Sequence, residues 1–193
     1  MREPVPEHKA ALRADAKERR RTMTQDAQAA GATGIFTHLT AQVAELGATR
    51  IGCYLSTLDE PPTRPFIEWA LEHNIEVLLP VSRDDGLLDW AHFSSGDEGV
   101  DALGMPIPLS ELLGPVAIDS VDVLFIPASL VDGTGMRMGW GRGYFDRTLG
   151  SMGHRPPVYA VVYDHEVVDA VPREAHDQSV DGAVTPSGII RFP

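Results

Sequence analysis

The chain has one cysteine, Cys53. That excludes a disulfide framework and any zinc site built on cysteine thiolates, and it permits a reducing compartment. Its setting, RIGCYLS, is a strand-like pattern in which a lone cysteine serves as a small core residue. Positive charge is scarce as well: 16 Lys and Arg against 28 Asp and Glu leave a formal net charge of −12. General nucleic-acid binders carry a basic face, so that class is set aside. An anionic small molecule stays open, because a local basic pocket works inside an acidic surface. No apolar run approaches the ~18 residues that span a bilayer. The opening, MREPVPEHKAALRADAKERRR, lacks the apolar core of a secretory signal. The expectation is a soluble cytoplasmic protein with no membrane or nucleic-acid partner. Repeats, low-complexity tracts and linkers are missing too, so residues 1–193 are read as a single domain.

What is present alternates between two periods. Residues 7–21 place strong helix formers after an early proline. Thr24 can cap a second helix, which GATG (31–34) weakens before IFTHLTAQVAEL resumes the helical spacing. RIGCYLS is a short strand, RPFIEWALEHN a helix, and IEVLLPV a strand covered on both faces. LLDWAHF alternates like an antiparallel strand, and the Gly-, Asp- and Ser-rich remainder of the middle reads as loop. DVLFIPASLV (122–131) is the clearest buried strand, PVYAVVYD is another, and DGAVTP is a short last one. A helix is expected over 144–149. This order predicts an α/β fold with a largely parallel sheet.

GTGMRMGWGRGYFDR (133–147) packs five glycines and three arginines into a segment that leaves the clearest strand and opens a helix. Ligands of open α/β sheets collect at such places. A P-loop is excluded because no GK[ST] follows. A dinucleotide fingerprint needs G-x-G-x-x-G; Gly139, Gly141 and Gly143 give G-x-G-x-G with Arg142 between two of them, and Asp164 at a suitable distance does not repair the spacing. Alternate glycines let the backbone take φ > 0 and approach a ligand, and successive N–H groups there form an anion nest. Arg137, Arg142 and Arg147 can add fork-shaped contacts to phosphate oxygens. The plain alternative is a tight strand-to-helix connection with solvated arginines.

Other candidates carry two readings each. Lys9 and Arg13 sit i,i+4, so they either point into water or hold an anion between them. Arg19, Arg20 and Arg21 suit a helix C-terminus. Asp146, in the first turn of the 144–149 helix, either answers its dipole or holds magnesium, which takes one or two carboxylates plus phosphate oxygens. Asp177 caps a turn or joins it, and Glu60 is a turn residue or a ligand contact. His8, His38, His73, His92, His154 and His165 are read as structural or surface residues. His176, beside Asp177, is the one histidine near a candidate.

KAALR, YLSTLDE, the segment DVLFIPASLVDGTGMRMGWGRGYFDRTL and VVYDHEVVDAVPREAHDQSVDGAVTP, in that order, resemble the 5-formyltetrahydrofolate cyclo-ligase (5,10-methenyltetrahydrofolate synthetase) family over nearly the whole chain. The resemblance implies a three-layer α/β/α domain like the NagB, RpiA and CoA-transferase folds, and an ATP- and magnesium-dependent closure of 5-formyltetrahydrofolate to 5,10-methenyltetrahydrofolate. It implies ATP contacts from Lys9, Arg13, Arg137, Met138, Gly139, Trp140, Gly141, Arg142, Gly143, Tyr144 and Phe145, with Arg142 stabilising the transferring phosphoryl group. Leu55, Glu60 and residues 140–144 would touch the folate, and Asp146 and Asp177 would hold Mg2+. A monomer is expected. Trp140, Phe145 and PASLVD depart from the family's usual Tyr, Phe or Arg, its second tyrosine and PGLAFD. Two other readings remain: a related ATP-dependent ligase on another N-formyl or carboxyl substrate, and a nucleotide-binding regulator of folate metabolism without turnover.

Overall fold

A computed structural model describes residues 5–94, 96, 98–101 and 104–193. Helices α1 (Val5–Arg21) and α2 (Gln25–Leu46) come first, followed by β1 (Arg50–Gly52), α3 (Arg64–Glu72), β2 (Glu76–Ser82) and β3 (Leu88–His92). A hairpin, β4 (Glu98–Val100) and β5 (Pro106–Pro108), precedes β6 (Val123–Pro127), β7 (Leu130–Asp132), β8 (Arg137–Met138) and α4 (Tyr144–Ser151). The chain closes with β9 (Val158–Val161), β10 (Val167–Val168), β11 (Gly182–Thr185) and β12 (Gly188–Arg191).

Seven strands form the central sheet in the order β12-β11-β9-β6-β1-β2-β3. The five inner strands are parallel; β3 and β12 run antiparallel at the two edges. Short apolar runs such as VLFIP and VYAV are buried because both faces of the sheet are covered. One face packs Ile35, Leu39 and Val43 of α2 and Phe66 and Ile67 of α3 over Phe125 and Val161. The other packs Leu149 of α4 and Ile118 over Leu124, Ile126 and Ala160. The expected α/β architecture with a mostly parallel sheet is therefore present.

Five details differ from the sequence reading. The second helix is unbroken across Gly31 and Gly34, with Thr24 Oγ1 accepting from Ala27 N and left-handed Gly47 (φ 61°) ending it. A Cβ on Gly34 would lie 2.2 Å from the Pro186 carbonyl oxygen, so the glycine serves a close helix–loop approach. DVLFIPASLV is two strands: β6 ends at Pro127, which has no N–H to extend the ladder, and β7 joins a separate sheet in the order β10-β7-β8. The middle loop contains the β4–β5 hairpin, and β12, at the edge of the sheet, was not expected. RIGCYLS is strand only through Gly52; Cys53 is buried, and burial pushes its thiol pKa up to about 12, as for an inert core residue.

Helix α1 packs its Ala16 and Leu12 against Leu130, Met138 and Val171 of the small-sheet region rather than on the main sheet. That places its basic residues over the glycine segment.

Candidate functional site

Two cavities lie on either side of residues 139–146. The larger, about 470 Å³, is walled by the segment after β1 (Tyr54, Leu55, Thr57, Glu60), by Pro106 and Ile107 of β5, and by Trp140, Tyr144 and Phe145. The smaller, about 210 Å³, is walled by Lys9 and Arg13 of α1, by Arg137 and Met138, by Gly141 and Arg147, and by Glu174, His176 and Asp177. Gly139, Arg142, Gly143 and Asp146 line both. Every candidate from the sequence falls on one wall or the other.

The glycine segment begins as β8, so Arg137 and Met138 are strand residues, paired antiparallel with Val131 and Leu130. Gly141 (φ 95°) and Gly143 (φ 69°) take the left-handed conformation that side chains resist, and Gly143 caps α4; Gly139 does not take it, so positive φ occurs at two of the three positions. A Cβ on Gly141 would lie 3.2 Å from the Arg13 guanidinium carbon. That approach lets Arg13 Nε donate to the Gly139 carbonyl at 2.8 Å. Arg147 holds the segment's shape: Nη2 donates to the Arg142 carbonyl and Nε to the Gly86 carbonyl, both at 2.6 Å. Tyr144 Oη donates to the Arg83 carbonyl at 3.1 Å, so the β2–β3 turn and the loop are tied together twice. Arg142 is exposed and lines both cavities.

Lys9 is buried, contrary to the solvent reading. Its Nζ donates to Asp177 Oδ2 at 2.6 Å and Glu174 Oε2 at 3.0 Å. Burial by itself lowers the ammonium pKa, but the two carboxylates outweigh it and the value is raised. Asp177 is the mirror case: burial raises it, and Lys9 with the Glu174 N–H brings it below the ordinary range. Arg137 Nη1 donates to Asp146 Oδ1 at 3.0 Å, and the Gln178 N–H donates to the same oxygen at 3.1 Å. Arg137 is only 3% exposed, and its Nε and Nη2 have no partner among the described residues. Burial lowers its pKa against the pull of Asp146. Two unpaired donors on a buried cation are costly, and an anion in the smaller cavity would satisfy them.

Carboxylate oxygens suited to a hard divalent cation stand in the same cavity. Asp146 and Asp177 each hold a cationic side chain instead, and Glu174, His176 and Asp177 offer ligand atoms within 4.8 Å of one another. His176, already beside Asp177 in the sequence, joins this cluster, and Glu174 is the member that the sequence reading did not single out. Asp146 is not in that cluster; the carboxylates, rather than the imidazole, fit magnesium, whose habit is few carboxylates and several phosphate or water oxygens.

On the other wall, Glu60 is buried and accepts from Thr57 N at 2.9 Å and Thr57 Oγ1 at 3.1 Å. Leu55 is buried on the same wall, and Trp140 is exposed. Sequence reasoning missed Arg20, which is 2% exposed and sits with its guanidinium carbon 5.0 Å from the Trp140 ring centroid. The run RRR hid it, since only periodicity relative to Ala16 marks one of the three as inward. It also missed Glu174, Tyr54 and the structural use of Arg147.

Comparisons with known proteins agree on one family. The model of the 5-formyltetrahydrofolate cyclo-ligase family matches residues 5–186. A 5-formyltetrahydrofolate cyclo-ligase of Mycolicibacterium smegmatis is 32% identical over 152 residues, covering 76% of this chain and 78% of the relative. One of Escherichia coli K12 is 27% identical over 179 residues, covering 90% and 97%. In fold, the chain matches the NMR structure of Aquifex aeolicus 5,10-methenyltetrahydrofolate synthetase with a TM-score of 0.80 at 24% identity, covering 95% of this chain and 92% of that one.

Proposed function

This chain belongs to the 5-formyltetrahydrofolate cyclo-ligase family, and from that premise we propose that it is an ATP- and magnesium-dependent ligase closing 5-formyltetrahydrofolate to 5,10-methenyltetrahydrofolate, with one cyclo-ligase domain over residues 1–193 and a cytoplasmic location. No helix among the described residues is long and apolar enough to cross a membrane, which is consistent with that location. The observation that carries the reading is the shared loop: an anion-adapted cavity and a larger, mainly apolar-walled cavity meet at Gly139, Arg142, Gly143 and Asp146. That is the arrangement a phosphoryl transfer between two bound substrates requires.

The triphosphate takes the smaller cavity, where Arg137 offers two free donors and Lys9 and Arg13 supply charge. The folate takes the larger one, its ring system against Leu55 and Glu60 and its formyl group toward the loop. Asp146 and Asp177 would hold magnesium, which would supply positive charge against the phosphate oxygens. A formyl amide is a poor electrophile because its oxygen is a poor leaving group. Transfer of the terminal phosphoryl group of ATP to that oxygen breaks the bond to ADP and makes the oxygen part of a phosphate ester. N10 then attacks the formyl carbon and loses its proton, the carbon–oxygen bond breaks, and phosphate departs with the oxygen. Such chemistry asks the protein for positioning and charge stabilisation rather than a covalent nucleophile. Arg142, on both cavities, is placed to stabilise the transferring group, and Gly141 and Gly143 leave the backbone N–H groups open to it.

Lys9 and Arg137 pair with the two carboxylates that would hold the metal. Arrival of the nucleotide gives both cations phosphate partners and releases the carboxylates. Purified protein given ATP, magnesium and 5-formyltetrahydrofolate is expected to form the methenyl chromophore with one ADP per turnover. ATP binding with no product at any folate concentration would replace this reading with the non-catalytic regulator.

A further inference from the structure

Tyr54 stands on the wall of the larger cavity, immediately after β1. Its backbone is held by the Thr63 hydroxyl, which donates to the Tyr54 carbonyl, while Ser56 and Thr63 exchange two further hydrogen bonds. The residue is 4% exposed, and its hydroxyl has no hydrogen-bond partner among the described residues. An orphaned buried hydroxyl is costly, which is why such groups are rare.

The surroundings show what kind of partner is missing. Burial and the neighbouring Glu60 carboxylate raise the phenol pKa well above its ordinary value. The group is therefore a neutral O–H that can still donate and accept. Arg20 and Glu166 also lie near it, but Arg20 has no acceptor and Glu166 already accepts from Arg20 and the Tyr163 N–H, so the hydroxyl proton has no taker there. Glu60 is an acceptor on the same wall, already fixed through one oxygen, Oε2, by both donors of Thr57. The wall thus presents a donor beside an acceptor in an apolar setting that includes Leu55, Pro106 and Ile107. That pairing is complementary to a heteroaromatic lactam edge, in which a ring carbonyl adjoins a ring N–H.

We propose that the Tyr54 hydroxyl is a specificity-determining donor, satisfied only when the ring carbonyl of the bound pterin arrives beside the ring N–H that Glu60 accepts. The inference rests on the folate reading above and adds a residue to it. The hydroxyl distinguishes an oxo ring from one without the acceptor, because a ligand lacking it leaves the donor buried and unpaired.

The experiment is Tyr54→Phe, compared with wild type by calorimetric titration of 5-formyltetrahydrofolate, steady-state kinetics and thermal unfolding. The dissociation constant and KM for the folate are expected to rise about tenfold, the worth of one neutral hydrogen bond. The loss falls on KM rather than kcat, and the affinity for ATP stays at the wild-type value. Thermal stability of the free variant stays level or rises, because the substitution deletes an unpaired polar atom. Unchanged folate affinity and KM in the variant, with wild type active, would overturn the role of Tyr54 alone. A fall of several degrees in the unfolding temperature would overturn it too, by showing that the hydroxyl has a partner inside the free protein. Wild type that neither binds nor converts the folate would remove both this inference and the proposed function.

Discussion

Arg20 and Glu166, 146 positions apart in the chain, meet in a bidentate ion pair, with Nε 2.5 Å from Oε1 and Nη2 2.9 Å from Oε2. Both residues are buried, and the pair is extended on each side: Nη2 also donates to the Ala128 carbonyl at 2.7 Å, and Glu166 Oε2 accepts from the Tyr163 N–H at 2.8 Å, while Arg20 Nη1 has no partner among the described residues. The last turn of α1 is thereby fastened at the carboxyl end of β6. Lys9 and Arg13, on the same helix, are consequently presented to the glycine loop.

Removing one partner strands a buried charge, so Arg20→Met is expected to cost about 3–5 kcal/mol in urea denaturation. Replacing both, Arg20→Met with Glu166→Leu, is expected to recover most of the loss, since a buried pair is often no more stable than apolar residues of like volume. A single-variant cost below about 1 kcal/mol would mean that α1 is fastened elsewhere. ATP affinity in the single variant should fall with stability.

Gly34 and Gly150 offer a test with opposite signs. Helix propensity alone favours alanine over glycine by about 1 kcal/mol. At Gly150 in α4 a Cβ meets only the Gln178 side chain at 3.7 Å, so Gly150→Ala should gain stability. At Gly34 it would collide with the Pro186 backbone at 2.2 Å, so Gly34→Ala should lose about 1–3 kcal/mol through overpacking. Equal gains at both sites, read by urea denaturation, would show that the α2 approach to Pro186 yields freely.

Asp132 sets an acid limit on stability. Burial raises its pKa, but the Thr134 hydroxyl and the N–H groups of Val171, Thr134 and Met136 favour the carboxylate and bring the value below the ordinary one. The folded chain then binds that proton less tightly than the unfolded chain, so the contribution is full above about pH 4 and is lost as pH falls through the native value. Asp132→Asn should cost about 1–3 kcal/mol at pH 7. The gap to wild type should narrow below pH ~4. A gap that is constant with pH would assign the effect to packing.

Arg142 is exposed and makes no side-chain hydrogen bond or ion pair among the described residues, so its removal should leave stability unaltered. On the proposed reading Arg142→Ala lowers kcat by about 10²–10³ while folate affinity changes little. Unaltered turnover would take Arg142 out of the phosphoryl-transfer step.

The order of elements was legible because period and burial agree. VLFIP and VYAV are apolar without interruption, and only a sheet covered on both faces needs that. The loop was legible because alternate glycines next to arginines have few uses. DVLFIPASLV was misread as one strand because periodicity does not say which sheet a residue joins; Pro127 and the pairing of Leu130 with Met138 decide it. GATG was misread as a weak point because propensity is local, whereas the need for glycine at position 34 comes from Pro186, far along the chain.

The sequence by itself determined the alternation of strands and helices, the anion-adapted segment with its flanking Lys9, Arg13, Asp146 and Asp177, and the family resemblance. These follow from local chemistry, in which residue type and spacing are sufficient. Only the tertiary structure decided that Lys9 is buried against Asp177 and Glu174, that Arg20 rather than Arg19 or Arg21 is the inward arginine, and that the loop divides two cavities. Each of those depends on distant residues meeting, and an ion pair or an orphaned hydroxyl has no signature along the chain.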